Sequence, residues 1–525
     1  MNKLILLAGL GLLSISCSKK KSPNIIFLLT DDQTYTSLGC YGNTQVKTPN
    51  MDKLAEEGVL FNNQYATTSI CMASRAILMT GMYEYKTGCN FMHGSLTRDK
   101  FNLSYPNLLQ KAGYRTGFAG KFGFAVTEEP DSNDNCDTYD REPVADFDWW
   151  GGGIGQTSYR TGENKYIAKY ADKYPHSTRA YGAAASDFIK ESVKMDKPFC
   201  LSISFKAPHK PFTPDPVFDT VYQNTVFSPP ADYGREAGSH LATQAKLGRN
   251  YLKMFEEWNR ENYQETATKY YQLVYGVDYA IGMIRKELKE RGIDDNTVII
   301  LTSDNGYFCG SHGFAGKELP YEKGAKTPLI IYDPRNPVIK NQSPVNSLTG
   351  TIDIAPTILD LAGVEIPPDM DGVSLVPILK NPGAKVRDEL SIVQSYGSAP
   401  TLVLSVVTQN WKYIYWFFGE NIKPSEELFN LKNDPFEMQN LASANEEKTG
   451  EMRKLYDATV EKWKKDAVPY GYYQEFGILF DRNIEWKDKK GVLPEPFIEN
   501  YLQELAKLNM ENDPFNYEEI IRRAN

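Results

Sequence analysis

The chain has 525 residues, 41% hydrophobic and 24% charged, with a formal net charge of −9. That balance suits a soluble globular protein with room for two or more domains, and its acidity argues against a nucleic-acid partner, which needs a basic footprint. An anionic substrate would have to be drawn by a local basic pocket rather than by the surface as a whole.

Residues 1–16 read as a signal peptide: Lys3 supplies a positive start, and the apolar run after it is too short to span a bilayer. Ser14-Ile15-Ser16-Cys17 is similar to a bacterial lipobox with Ser in place of the usual Leu. Cys17 would then be the lipidated first residue and residues 17–22 a polar tether. Cleavage by an ordinary signal peptidase is the alternative. Either route predicts export, as a periplasmic protein or a membrane-anchored lipoprotein of a Gram-negative bacterium, with membrane contact only through the lipid.

The folded part is expected to begin at residue 23. Residues 24–30 are continuously apolar, as in a central parallel strand, with Asp31 and Asp32 at its carboxyl end. Residues 50–57 read as a helix stopped by Gly58. Residues 73–79 lack Gly and Pro and read as the first turns of another, stopped by Gly81. Cys71 would lie at the N-terminus of that helix, where free N–H groups and the macrodipole favour an anion. Arg75, four residues on, would share its face. A helix over 105–112 follows, then Lys121, then a loop with His176 and Arg179 before a further helix. Residues 199–205 make a second buried strand, leading to His209 in a proline-flanked loop. A long helix over 266–291 ends at Gly292, and residues 297–302 form a third buried strand, followed by Asp304-Asn305-Gly306. His312 and Lys317 come next, and a helix over 354–361.

From about residue 385 the pattern changes to short runs at 392–393, 402–407 and 413–418, suited to an antiparallel sheet. The expected architecture is α/β: a central mixed, mostly parallel sheet flanked by helices over 23–385, and a smaller α+β region built on a short antiparallel sheet over 386–525. The tail from about 470 should pack on that region or run partly extended. Apart from Cys17 and Cys71, the cysteines (40, 89, 136, 200 and 309) form no framework and are expected as buried thiols or at most one or two bridges.

Ligands in open α/β sheets gather beyond the carboxyl ends of strands, and three polar clusters follow such strands here: Asp31/Asp32, His209 and Asp304/Asn305. Two adjacent acids at short range cannot both stay ionised without a cation between them. With Asp304 and Asn305 they offer a hard, all-oxygen set suited to Ca²⁺ or Mg²⁺ rather than zinc.

The run from Cys71 to Gly81 resembles the signature of the formylglycine-dependent sulfatases: Cys-x-Pro/Ala-Ser-Arg, two residues, Leu or Met, one residue, Thr-Gly. Ala119-Gly120-Lys121, Pro208-His209-Lys210-Pro211, Gly316-Lys317 and the stretch 426–442 are similar to further elements of that family. The resemblance implies an alkaline-phosphatase-like fold and oxidation of Cys71 to formylglycine by a maturation enzyme. It also implies one divalent metal, Ca²⁺ before Mg²⁺, on Asp31, Asp32, Asp304, Asn305 and the modified Cys71. Arg75, Lys121 and Lys317 would hold the sulfuryl oxygens while His209 protonates the leaving alcohol. The hydrated aldehyde would attack sulfur and then expel sulfate. Candidate substrate contacts are His312, His176 and Arg179. Gly123 departs from the pattern, since many sulfatases carry His there; His93, His176, Asp304 or a water could take its place. The expected substrate is a sulfated carbohydrate. An arylsulfatase, a phosphomonoester or phosphonate hydrolase and an inactive sugar-binding lipoprotein are the alternatives.

Overall fold

The computed structural model describes residues 22–131, 141–336 and 344–510; the expected signal segment, Cys17 and Cys136 lie outside them. The central sheet has eight strands: β1 (Asn24–Thr30), β2 (Val59–Tyr65), β3 (Arg115–Lys121), β4 (Trp149–Gly153), β5 (Phe199–Ser204), β6 (Thr297–Ser303), β7 (Leu329–Tyr332) and β8 (Val345–Gly350). Across the sheet they run β8-β2-β7-β6-β1-β5-β3-β4, and only β7 is antiparallel to its neighbours. The sheet is therefore mixed and mostly parallel.

Among the described residues of this region, the helices of seven residues or more are α1 (Pro49–Glu57), α2 (Cys71–Thr80), α3 (Tyr105–Lys111), α4 (Ser177–Ser192), α5 (Arg249–Glu257), α6 (Tyr263–Glu290) and α7 (Ile354–Ala362). The alternation of β1 shows why its run is apolar throughout. Ile25, Phe27 and Leu29 share a core with Met72 and Ala76 of α2, Leu109 of α3 and Ile358 of α7. Ile26 and Leu28 face the other way, onto Leu54 of α1, Phe188 of α4 and Ile281 of α6. A strand buried on both faces has no polar position to spare.

A second sheet follows as an antiparallel meander of β9 (Glu389–Gln394), β10 (Val403–Thr408), β11 (Trp411–Trp416) and β12 (Ser425–Asn430). It is covered by α8 (Glu446–Asp466), α9 (Tyr473–Leu479) and α10 (Glu495–Met510), whose Trp463, Phe476 and Phe497 enter its core. The tail is thus largely helical through residue 510, and it packs on the second sheet as far as Leu505. Cys40, Cys71, Cys89, Cys200 and Cys309 are free thiols, so no bridge forms among the described residues. No described helix is long and apolar enough to cross a membrane.

Register decides where the site lies. Thr30 pairs with Ser303, and Ser204 pairs with both Leu29 and Gly120. The carboxyl ends of β1, β6, β5 and β3 are therefore level, and the residues after them converge at one edge of the sheet.

Candidate active site

Asp31 and Asp32 leave β1 where Asp304 and Asn305 leave β6. The Asp32 amide donates to Asp304 Oδ1 at 3.2 Å, and Asn305 Nδ2 donates to Asp32 Oδ1 at 2.7 Å. Asp32 adopts φ +64°, a left-handed conformation that is uncommon without glycine and recurs at functional turns. Above these acids stands α2, with Cys71 as its first residue. Ile70 before it provides no side-chain cap, so the first-turn amides are open to an anion.

Cys71 is 2% exposed, with Sγ 2.6 Å from the Lys317 ammonium and 3.3 Å from Asp31 Oδ1. Burial, and next the Asp31 charge, pushes its thiol up to about 12. An unmodified cysteine held there is no nucleophile at neutral pH.

Three buried cations frame the acids. Lys121 Nζ donates to Asp31 Oδ2 at 2.5 Å and to Gln156 Oε1 at 2.6 Å. Lys317 Nζ lies 2.5 Å from Asp32 Oδ1; burial alone would lower it, but Asp32, Cys71 and Asp31 hold it well above the usual lysine range. Arg75 departs from its expected part. Nε and Nη2 donate to Asp304 Oδ2 at 3.0 and 2.8 Å, Nη2 also reaches Asp31 Oδ2 at 3.3 Å, and Nη1 donates to the Lys121 carbonyl at 2.7 Å and to Ser204 Oγ. All five of its N–H groups are committed to the protein, so Arg75 clamps the two carboxylates instead of offering a free fork to a substrate.

Electrostatics separates the three acids. Burial would raise Asp31, yet Lys121, His209, Arg75 and Lys317 hold it well below the carboxylate range. Asp32 is likewise lowered against its burial, chiefly by Lys317. Asp304 is pushed up to about 6 by burial and by Asp31. An added cation would relieve that repulsion. The donor set fits a divalent ion: Asp31, Asp32, Cys71 and His209 bring ligand atoms within 4.8 Å of one another, and buried Asn305 Oδ1 has no hydrogen-bond partner. Turning the Asn305 amide over, at the loss of its 2.9 Å bond from Nδ2 to the Gly306 carbonyl, would set its oxygen beside Asp32 Oδ1, as a shared hard cation requires.

His209 points Nε2 toward Asp32 Oδ2 at 3.7 Å, while Nδ1 contacts the Lys210 carbonyl at 2.5 Å and the Tyr159 hydroxyl donates to the His209 carbonyl at 2.6 Å. Burial, against Asp31 and Asp32, holds its imidazole down at about 4. The cavity at Cys71 has a volume of about 280 Å³, and its lining includes Phe91, Tyr396, Arg249 and Lys253. Wider grooves of about 620 and 570 Å³ elsewhere on the molecule contain none of these reactive residues.

Three expected substrate contacts belong to the fold instead. His176 caps α4, accepting from the Thr178 amide at Nδ1, and its Nε2 contacts the Thr213 carbonyl at 3.0 Å. Arg179 is spent on Asp215 at 2.5 Å. His312 orders its loop against Asp232 at 3.6 Å and the Ala237 carbonyl, outside the cavity lining. His93 is no substitute for the absent histidine either, since its two ring nitrogens contact the carbonyls of Gly471 and Ser395. The place itself is filled: a Cβ on Gly123 would lie 2.7 Å from Arg75 Cδ, at a φ of +87°. Sequence reasoning missed Gln156 and Ser204, whose one visible signal was their position after a glycine run and at a strand end.

The sulfatase family model matches residues 23–364, and a second, N-sulphoglucosamine sulphohydrolase, C-terminal, matches residues 310–466. The chain is 30% identical over 539 aligned residues to an N-acetylglucosamine-6-O-sulfatase of Bacteroides thetaiotaomicron, covering 88% of this chain and 91% of that one. It is 27% identical to an ulvan-active sulfatase of Formosa agariphila, with 90% and 89% covered. A structure solved in complex with its substrate, D-glucosamine-2-N,6-O-disulfate, is similar with a TM-score of 0.70 and 28% identity over 85% of this chain and 99% of that one. A phosphonate monoester hydrolase of Agrobacterium radiobacter, at 23% identity and a TM-score of 0.65 over 82% and 94%, shares the fold alone. With that family model matched along most of its length, the chain belongs to the sulfatase family.

Proposed function

We propose that this sulfuric ester hydrolase removes sulfate from a carbohydrate, with Cys71 matured to formylglycine and one divalent ion, Ca²⁺ before Mg²⁺, held by Asp31, Asp32, Asp304 and Asn305. The observation that carries the reading is Cys71 at the open end of α2, its Sγ set between the Lys317 ammonium and the Asp31 carboxylate. In the matured protein that position stands for an oxygen of the hydrated aldehyde. A bound divalent ion would supply charge that eases deprotonation there and steadies the sulfuryl oxygens.

The chain's own residues do the rest. Lys317 and Lys121 place fixed positive charge on either side of the reacting position, where a water-poor site makes it effective. Arg75 keeps Asp31 and Asp304 in register for the ion. His209 enters neutral; when the anionic ester sits beside it, it takes up a proton and delivers it through Nε2 to the departing sugar oxygen. General acid help of this kind is worth roughly 10²–10⁴-fold. A carbohydrate substrate is supported by the likeness to an N-acetylglucosamine-6-O-sulfatase and an ulvan-active sulfatase and by the Phe91 and Tyr396 rings in the cavity wall. Export and a lipid anchor at Cys17 are part of the same proposal and rest on the leader alone.

The test is mass analysis of the peptide containing residue 71, combined with sulfate release from a panel of defined sulfated saccharides. A formylglycine mass and release from at least one saccharide are expected. Release that survives replacement of Cys71 by Ala would sink the proposal.

A further inference from the structure

The helix α5 carries Arg249, Lys253 and Glu257 at intervals of four, so all three share one face. The two ends of that row are matched. Arg249 pairs with Glu318 and lies over the Tyr396 ring at 4.8 Å. Glu257 takes Lys210 and accepts from the Tyr307 hydroxyl at 2.9 Å. Lys253, between them, lines the cavity at Cys71 and forms no ion pair or hydrogen bond among the described residues. The cations Arg249, Lys210 and Lys317 act on it, opposed by Glu257, while Glu318 of the same cavity wall is taken by Arg249. Burial and those cations pull its ammonium down to about 7.

Its place relative to the reacting group is fixed by Gly316. A Cβ there would sit 3.6 Å from Lys253 Nζ and 3.0 Å from Asn250 Oδ1, a buried acceptor with no partner. The ammonium therefore lies against the backbone just before Lys317, whose own ammonium touches Cys71 Sγ. A half-buried cation among cations is costly until an anion joins it. The scissile sulfate belongs at Cys71, so a further anion at Lys253 has to come from another substituent of the same sugar or its neighbour.

Resting on the sulfatase reading, we propose that Lys253 determines specificity by binding a second anionic group of the saccharide, a sulfate or a carboxylate close to the scissile ester. Each probe pair differs by one charge. N-acetylglucosamine-6-sulfate against glucosamine-2-N,6-disulfate forms the sulfate arm, and a sulfated uronic-acid disaccharide against its methyl ester forms the carboxylate arm. The matured enzyme should favour the doubly charged member of one arm, and that arm names the group. Lys253→Met should cut this preference about 10-fold or more, through KM rather than kcat, and Lys253→Arg should restore most of it. A structural lysine would lower both members of a pair alike, which overturns the proposal, as does a wild type with no preference in either arm. Calorimetric binding to Cys71→Ala separates the two readings. Charge-selective binding that depends on Lys253, with no sulfate released by the matured enzyme, defeats the hydrolase and keeps this inference. Sulfate release with no charge preference does the reverse, and absence of binding to every probe overturns the inference.

Discussion

Two of the clusters of buried charge among the described residues are built to opposite ends. One is the site under Cys71. The other joins the two sheets: Lys412 of β11 donates to Glu322 at 2.8 Å and to Glu437 at 2.9 Å, Tyr65 donates to Glu322 at 2.9 Å, and the Glu322 amide donates to Glu437 at 2.7 Å. Both clusters are buried and both perturb their acids strongly. The junction is saturated: every carboxylate oxygen in it is engaged, although Tyr65 and Glu322 also line a groove of about 650 Å³. The site opens into a cavity, leaves Asn305 Oδ1 unpartnered and meets the bare end of a helix. Perturbed titration alone therefore does not mark function, since structural ion networks show it too. An unfilled acceptor beside a bare helix end does.

Breaking each cluster should separate chemistry from stability. Replacing Cys71 by Ala removes the nucleophile and should lower kcat/KM by roughly 10⁴-fold or more, with a melting temperature close to that of the parent. A comparable loss of stability would mean that Cys71 is a packing residue. At the junction, Lys412→Met strands two buried carboxylates and should cost about 3–5 kcal/mol in urea unfolding, while turnover per folded molecule persists. Turnover lost in step with stability would show that the junction takes part in the chemistry.

The junction also carries a pH signature. Burial, and also Glu322, raises Glu437 to about 7 although Lys412 opposes it; Lys412 and Lys326 overcome burial to bring Glu322 to about 2. A carboxyl raised on folding binds its proton more tightly in the native state. Its contribution to stability is present below the unfolded value of about 4.5 and is lost as pH rises through about 7. Glu322 works in the opposite sense: its contribution is present above about 4.5 and is lost as pH falls toward about 2. Glu437→Gln should therefore flatten the decline in unfolding free energy between pH 5 and 8, by an amount on the order of 2 kcal/mol. An unchanged decline would place the titration elsewhere.

How much of this could be read from the chain depended on how local each signal was. Asp31/Asp32, Cys71 and Asp304/Asn305 were legible because each follows or opens an element whose apolar pattern is strong, and register then brings them together. β3 and β4 were not, because Arg115–Lys121 has two glycines and charged ends and Trp149–Gly153 is mostly glycine. Neighbouring strands, not propensity, make them strands. The fourfold spacing of Arg249, Lys253 and Glu257 went unread in the sequence, and only distant Glu318 and Lys210 show which of the three is left over. Arg75 was placed on the correct face and given the wrong partner, because its acceptors come from β1, β3, β5 and β6 at once.

The smallest expected effect bears on the position where this chain departs from its family. Gly123 has φ +87°, which disfavours any side chain, and a Cβ there would press on Arg75 Cδ at 2.7 Å. Gly123→Ala should cost about 1–2 kcal/mol of stability for the left-handed backbone. It should also lower kcat/KM roughly 10-fold by shifting the clamp on Asp31 and Asp304, since small misplacements are costly in an active site. Gly123→His would face the same collision with a larger group, so it should do more harm than Ala and restore nothing. If the His variant instead turned over faster than the parent, the space would be a vacancy in a weakened enzyme, and Arg75 would not be the residue that closes this side of the site.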